Sequence, residues 1–93
     1  GPALDHTVTI CPTPARPGSR IVFRTLIGGC YALDLLDVAG RRLAGRSLGH
    51  LDPGLHAIAL GDLAPDRPVA AGVHFVRVRG DVDTRIVRVV YLR

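Results

Sequence analysis

Short apolar runs recur along this chain, and each is stopped by Gly, Pro or Asp. Helix formers nowhere fall into a periodic arrangement. Such punctuation restricts the chain to strands joined by tight turns, an all-β domain. The runs predict strands at Val8 to Cys11, Arg20 to Leu26, Tyr31 to Asp37 and Arg42 to Ser47. Three more follow at Gly54 to Leu60, Gly72 to Arg79 and Thr84 to Leu92. "GHLDPG" and "GDLAPDRPVAAG" read as loops, and "RGDVD" as a hairpin tip.

The third run shows its faces. By the period of two, Tyr31, Leu33 and Leu35 share the core side, while Ala32, Asp34 and Leu36 point the other way. It closes on "DVAGRR", the clearest turn in the chain. Asp37 can accept bonds from backbone N–H groups just ahead, and Gly40 can take positive φ, closing a hairpin with a bulge. Seven strands at this spacing suit an immunoglobulin-like β-sandwich of about seven antiparallel strands. The hallmark Trp is missing, so that likeness is architectural, and a small barrel is the alternative.

Three prolines, Pro12, Pro14 and Pro17, stand before the second strand. Proline fixes φ and removes a donor, so this segment is no central strand. It reads as an extended crossing piece from Val8–Ile10 to Ile21–Phe23. The final run, "TRIVRVVYLR", is apolar on both alternating sets in its second half. A strand covered on both sides, or one extending into a partner, has this pattern. An apolar edge invites strand addition, so Ile86, Val87, Arg88, Val89, Val90, Tyr91 and Leu92 form the candidate partner-binding strand.

Ninety-three residues make one domain, 3–93, after a Gly1-Pro2 pair that reads as the remnant of a cleaved tag. On that reading the domain was cut from a longer protein. All basic residues are Arg and all acidic ones Asp, with a net charge of +4. Arg and Asp are interleaved, and aromatics are only 4%, so the chain lacks a nucleic-acid signature. Arg41, Arg42 and Arg46, with Arg77, Arg79, Arg85 and Arg88, can form a basic stripe for an acidic partner or anionic glycan, or simply a solvated face.

In order along the chain stand "PTPARPGSRIVF" (Pro12 to Phe23), "LLDVAGRRL" (Leu35 to Leu43), "LDPGLH" (Leu51 to His56), "RPVAAGVHFVRV" (Arg67 to Val78) and the terminal "RVVYLR". Together they resemble the immunoglobulin-like C-terminal modules related to the flagellar hook-scaffolding protein FlgD. They equally resemble the type A C-terminal sorting domains of the type IX secretion system. Those families carry "PNPFNP", "VYDVAGRRV", "LPAGEH" and "PVASGVYFVRL" at the matching places. Here Thr13, Ala15 and Arg16 depart from the first motif, and His74 replaces the family Tyr. The resemblance covers about Thr7 to Arg93. It implies a non-catalytic C-terminal module of a secreted or cell-surface bacterial protein, exported by a signal outside this sequence. Export or anchoring machinery would recognise it. The alternative is a passive or self-assembling structural module.

An exported domain favours a disulfide, so Cys11 and Cys30 are candidates for a bridge; two small buried hydrophobes are the other reading. His74, two residues after Gly72, stands where immunoglobulin-like domains place a Tyr that bonds back to upstream backbone. It is expected to do the same with a ring nitrogen. No nucleophile or paired acid neighbours it in sequence, and no cysteine–histidine pattern suits a metal. Asp81 and Asp83 offer too few oxygens for calcium and read as a turn. The Arg79–Asp81 tripeptide RGD reads as chance in a chain rich in those residues. The sequence therefore predicts no enzyme, cofactor, small-molecule substrate or nucleic-acid ligand; its partners are proteins, and membrane contact is only indirect.

Overall fold

The structure, a computed structural model, describes residues 4–11, 13–16, 18–63 and 69–92, with the backbone alone for residues 4–7. Gly1-Pro2, expected as a tag remnant, and Pro12 and Pro17, expected in the crossing piece, lie outside the described residues. Seven strands form: β1 (Leu4–Cys11), β2 (Arg20–Thr25), β3 (Gly29–Leu36), β4 (Arg42–Leu51), β5 (Gly54–Ala59), β6 (Gly72–Gly80) and β7 (Thr84–Tyr91). A short 3-10 turn spans Leu60–Leu63. One sheet has the order β1-β2-β5 and the other β4-β3-β6-β7, with every ladder antiparallel. Two packed sheets with chain crossings between them make an immunoglobulin-like β-sandwich.

All seven expected strands are present, and β4 runs on to Leu51 instead of stopping at Ser47. The reason is Gly49, whose φ is 65°. It marks a bulge where the β3–β4 register shifts between Tyr31 and Ala32, and pairing then resumes at Cys30 and His50. A glycine with positive φ imitates a turn in sequence, although the ladder continues past it.

Period-two alternation builds the core. Ile10, Ile21 and Phe23 face inward from one sheet; Leu33, Leu35, Val76, Val78, Val89 and Tyr91 meet them from the other. Full burial of each large apolar side chain contributes about 1.5–3 kcal/mol. Leu60 and Leu63 of the 3-10 turn add to this core, as does Ala15.

The proline-rich segment does more than cross. The Ala15 N–H donates to Val90 O (2.8 Å), and the Leu92 N–H donates to Ala15 O (2.8 Å). Ala15 thus forms a parallel bridge with Tyr91. The chain leaves the edge of one sheet and clamps the edge strand of the other. Just before β2 the Ser19 N–H donates to Arg16 O (2.9 Å), and Ser19 Oγ accepts from the Arg16 N–H (2.9 Å).

Asp37 behaves as its turn demands. Its Oδ1 accepts the N–H groups of Ala39 (2.9 Å) and Arg41 (2.8 Å), and Gly40 has φ 86°. At the opposite end, the buried Tyr31 ring lies against Gly80, and its hydroxyl donates to Ile27 O at 2.9 Å. A Cβ at Gly80 would stand 2.7 Å from Tyr31 Cε1. Gly80→Ala is therefore expected to destabilise the domain by about 1–3 kcal/mol through overpacking. Urea unfolding should show a lower midpoint with an unchanged slope; a midpoint equal to wild type would refute the contact.

Candidate functional site

The outer face of the β4-β3-β6-β7 sheet carries an unusual charge arrangement. Asp34 lies on this face, opposite Arg77 of β6 and Gly45 of β4. Its residue is 0% exposed. Three guanidiniums cover it: Arg42 Nε donates to Oδ1 at 2.9 Å, Arg77 Nε to Oδ2 at 2.9 Å, and Arg79 Nε to Oδ2 at 3.0 Å. These arginine side chains are themselves 57%, 30% and 51% exposed. The carboxylate thus sits one layer below solvent, roofed by its partners. Desolvation pushes its pKa up, but the bonds from Arg79, Arg42 and Arg77 together pull it further down, so it is held below the usual carboxylate range.

Gly45 makes room for this. A Cβ there would collide with Arg42 Nη2 and stand 2.7 Å from Asp34 Oδ1. Arg42 reaches across β4 because position 45 has no side chain.

The remaining members of the expected basic stripe divide. Arg88, opposite Phe75, shares the outer face. Arg41 turns to Asp37 (3.0 Å) and Arg46 to Asp62 (3.8 Å). Arg85, opposite the buried Val78, lies on the inner side of β7 and donates to Asp83 Oδ1 at 3.0 Å. Among the outward apolar residues beside the arginines, Ile86 is 57% and Val90 41% exposed.

The edge of β7 is half covered. Val90 O and Leu92 N–H point away from β6 toward Ala15. Since backbone groups alternate sides along a strand, those of Thr84, Ile86 and Arg88 point to the same edge. Thr84 is already engaged there, its N–H donating to Asp83 Oδ1 (2.9 Å) and its carbonyl accepting from Arg85 Nη1 (3.3 Å). Among the described residues, Ile86 and Arg88 have no backbone partner on that side. A groove of about 440 Å³, lined by Thr13, Pro14, Arg88 and Val90, runs beside it. Of the candidate partner-binding strand, Val87, Val89 and Tyr91 turn to the core side, while Ile86 and Arg88 stand at the open part.

Cys11 and Cys30 are free and exposed, not bridged and not buried. Cys11 alternates with the inward Ile10 and Cys30 with the inward Tyr31. The two thiols therefore lie on opposite outer faces of the sandwich. Sheets pack about 10 Å apart, which exceeds the reach of a disulfide.

His74 is buried, with Nδ1 3.3 Å from Gly72 O. A carbonyl only accepts, so Nδ1 carries the proton in that bond. This is the back-bonding expected of it, and Gly72, with φ 128°, shapes the corner. Asp83 closes the last hairpin as its carbonyl accepts the Gly80 N–H at 2.8 Å. Arg79, the first residue of the RGD tripeptide, is engaged with Asp34. Among the described residues no three His, Cys, Asp or Glu side chains group as metal ligands. Thr25 and His56 come within 3.1 Å of each other, yet Thr25 is buried and its hydroxyl also meets Asp52 O at 3.0 Å. That pair fastens the β4–β5 turn.

The sequence places Asp34 on the outer face and Arg42, Arg77 and Arg79 in a basic stripe, but it does not mark Asp34 as the residue that gathers them. The available signal was an aspartate amid the apolar run of β3, in phase with the outward arginines of β6. Fold and site together define a small immunoglobulin-like β-sandwich with an arginine-roofed sheet face and a partly open strand edge. Compared with models of known families and with curated proteins, the sequence matches none.

Proposed function

We propose that this chain is a non-catalytic sorting or attachment module of a secreted or cell-surface bacterial protein. Export or anchoring machinery engages it by strand addition at the edge of β7. The observation that carries this reading is the edge itself. By the alternation of the strand, Ile86 and Arg88 turn their backbone groups outward, beside the exposed Ile86 and Val90 side chains. Unpaired edges are templates for another strand, and alternate side chains supply specificity. The five motifs resembling FlgD-related modules and type A sorting domains support the same reading and point to type IX secretion.

The test fuses residues 3–93 to an exported reporter in a bacterium with competent type IX machinery. The fusion is expected at the cell surface. Ile86→Pro removes one outward N–H without touching the β6 ladder. It should leave the domain folded and hold the reporter in the periplasm. A wild-type fusion that stays in the periplasm rejects the sorting role.

A self-assembling structural module is the second reading, favoured by the same edge, which a second copy could pair. Sedimentation over a wide concentration range separates the two. Oligomers that Ile86→Pro abolishes would support assembly.

A further inference from the structure

We infer that the outer face of the β4-β3-β6-β7 sheet is a docking site for an extended acidic segment of a partner protein. One cation suffices to neutralise Asp34, yet three converge on it. The excess positive charge is exposed and held in place. Each guanidinium commits its Nε to Asp34. Its terminal Nη groups remain to receive a second carboxylate, which arginine binds in a fork geometry. With Arg88, the face presents four arginines against the single Asp34.

The spacing suits an extended peptide. Arg77 and Arg79 stand two residues apart on β6, about 7 Å along a strand. Carboxylates on every second residue of an extended segment repeat at the same interval. The neighbouring outward positions alternate between charged and apolar: Arg77 faces Ile86, and Phe75 faces Arg88. A segment alternating acidic and apolar side chains complements this checkerboard in charge and contact. Phe75 is half-buried and is the sole aromatic residue on the outward positions of β6 and β7, so base stacking has little platform here.

A cluster serving stability alone would not require charge beyond neutrality. Three like charges around one carboxylate repel each other, and a second anion relieves that repulsion. Docking on this face stands apart from strand addition and from any role in export.

The probe is a fluorescein-labelled peptide of about eight residues alternating Glu and Val, titrated into the 93-residue chain at about 50 mM salt. Its Gln–Val counterpart is the control. Saturable binding by the acidic peptide alone is expected. Amide shifts on wild-type protein should centre on Arg77, Arg79, Ile86 and Arg88. The double variant Arg77→Lys, Arg79→Lys keeps the charge and a pairing with Asp34 but loses the fork. It should weaken binding by about tenfold. Arg20→Gln, on the opposite sheet, should leave binding unchanged. The proposal is overturned if the peptide does not bind, or if the shifts fall on the β1-β2-β5 sheet. It is equally overturned if an oligonucleotide of the same charge binds as tightly.

Discussion

Asp34→Ala is expected to lower the stability of the domain by about 2–3 kcal/mol. The carboxylate accepts three charge-assisted hydrogen bonds, and each such bond taken alone is worth about 1.5–3 kcal/mol. Their sum does not apply. Arg42, Arg77 and Arg79 are partly exposed and regain water once Asp34 is gone. What remains is the loss of the shared anion and the repulsion among guanidiniums it had gathered. Against a typical total of about 5–15 kcal/mol, the effect is large. Urea unfolding of Asp34→Ala, and of the same change in an Arg77→Ala background, measures it. A cost in the double variant equal to the sum of the singles would mean the two residues do not interact.

The same cluster sets the acid limit. Asp34 titrates below its ordinary range in the folded state, because the three arginine bonds outweigh the opposing desolvation. In the unfolded chain it returns to about 3.9. On acidification the unfolded state takes up its proton first. The stabilisation is therefore complete above about pH 4 and is lost as pH falls through the folded-state pKa. Asp37 acts in the same direction, chiefly through the Arg41 backbone bond. Wild-type stability should drop below about pH 4, while Asp34→Asn should start lower and fall less. Parallel profiles for the two proteins would refute the assignment.

What was legible in the sequence was local. Strands announce themselves by alternation, so Tyr31, Leu33 and Leu35 were placed on the core side, where they are buried. The Asp37–Gly40 turn needs only its own residues. The same alternation put Asp34 on the outer face but could not show it buried. Its cover comes from Arg77 and Arg79 on a strand more than forty positions away. Arg42 reaches it only because Gly45 lacks a side chain. The free thiols had the same cause, since pairing Cys11 with Cys30 depends on which outer face each occupies. In sequence the proline segment reads as a crossing, but its clamp on β7 rests on two bonds between distant backbone groups. Alanine at position 15 gives no sign of that.

That clamp predicts the other large effect. Ala15 is 0% exposed, so Ala15→Asp would place a carboxylate where water is excluded. The chain can avoid the full penalty by releasing the segment while the sheets remain intact. Release gives up the Ala15–Val90 and Leu92–Ala15 bonds and takes Ala15 out of the core cluster it shares with Tyr91, baring apolar surface there. Two backbone bonds and that apolar surface set a ceiling of about 3 kcal/mol. Ala15→Ser, small and neutral, should cost about 1 kcal/mol. Hydrogen exchange should find the Leu92 amide unprotected in Ala15→Asp while the β3 amides stay protected. Release would also open the β7 edge from Ile86 to Leu92, turning a short template into a long one. The variant should therefore self-associate at concentrations where wild type does not. A Leu92 amide as slow to exchange as in wild type would show that Ala15 is not what closes the edge.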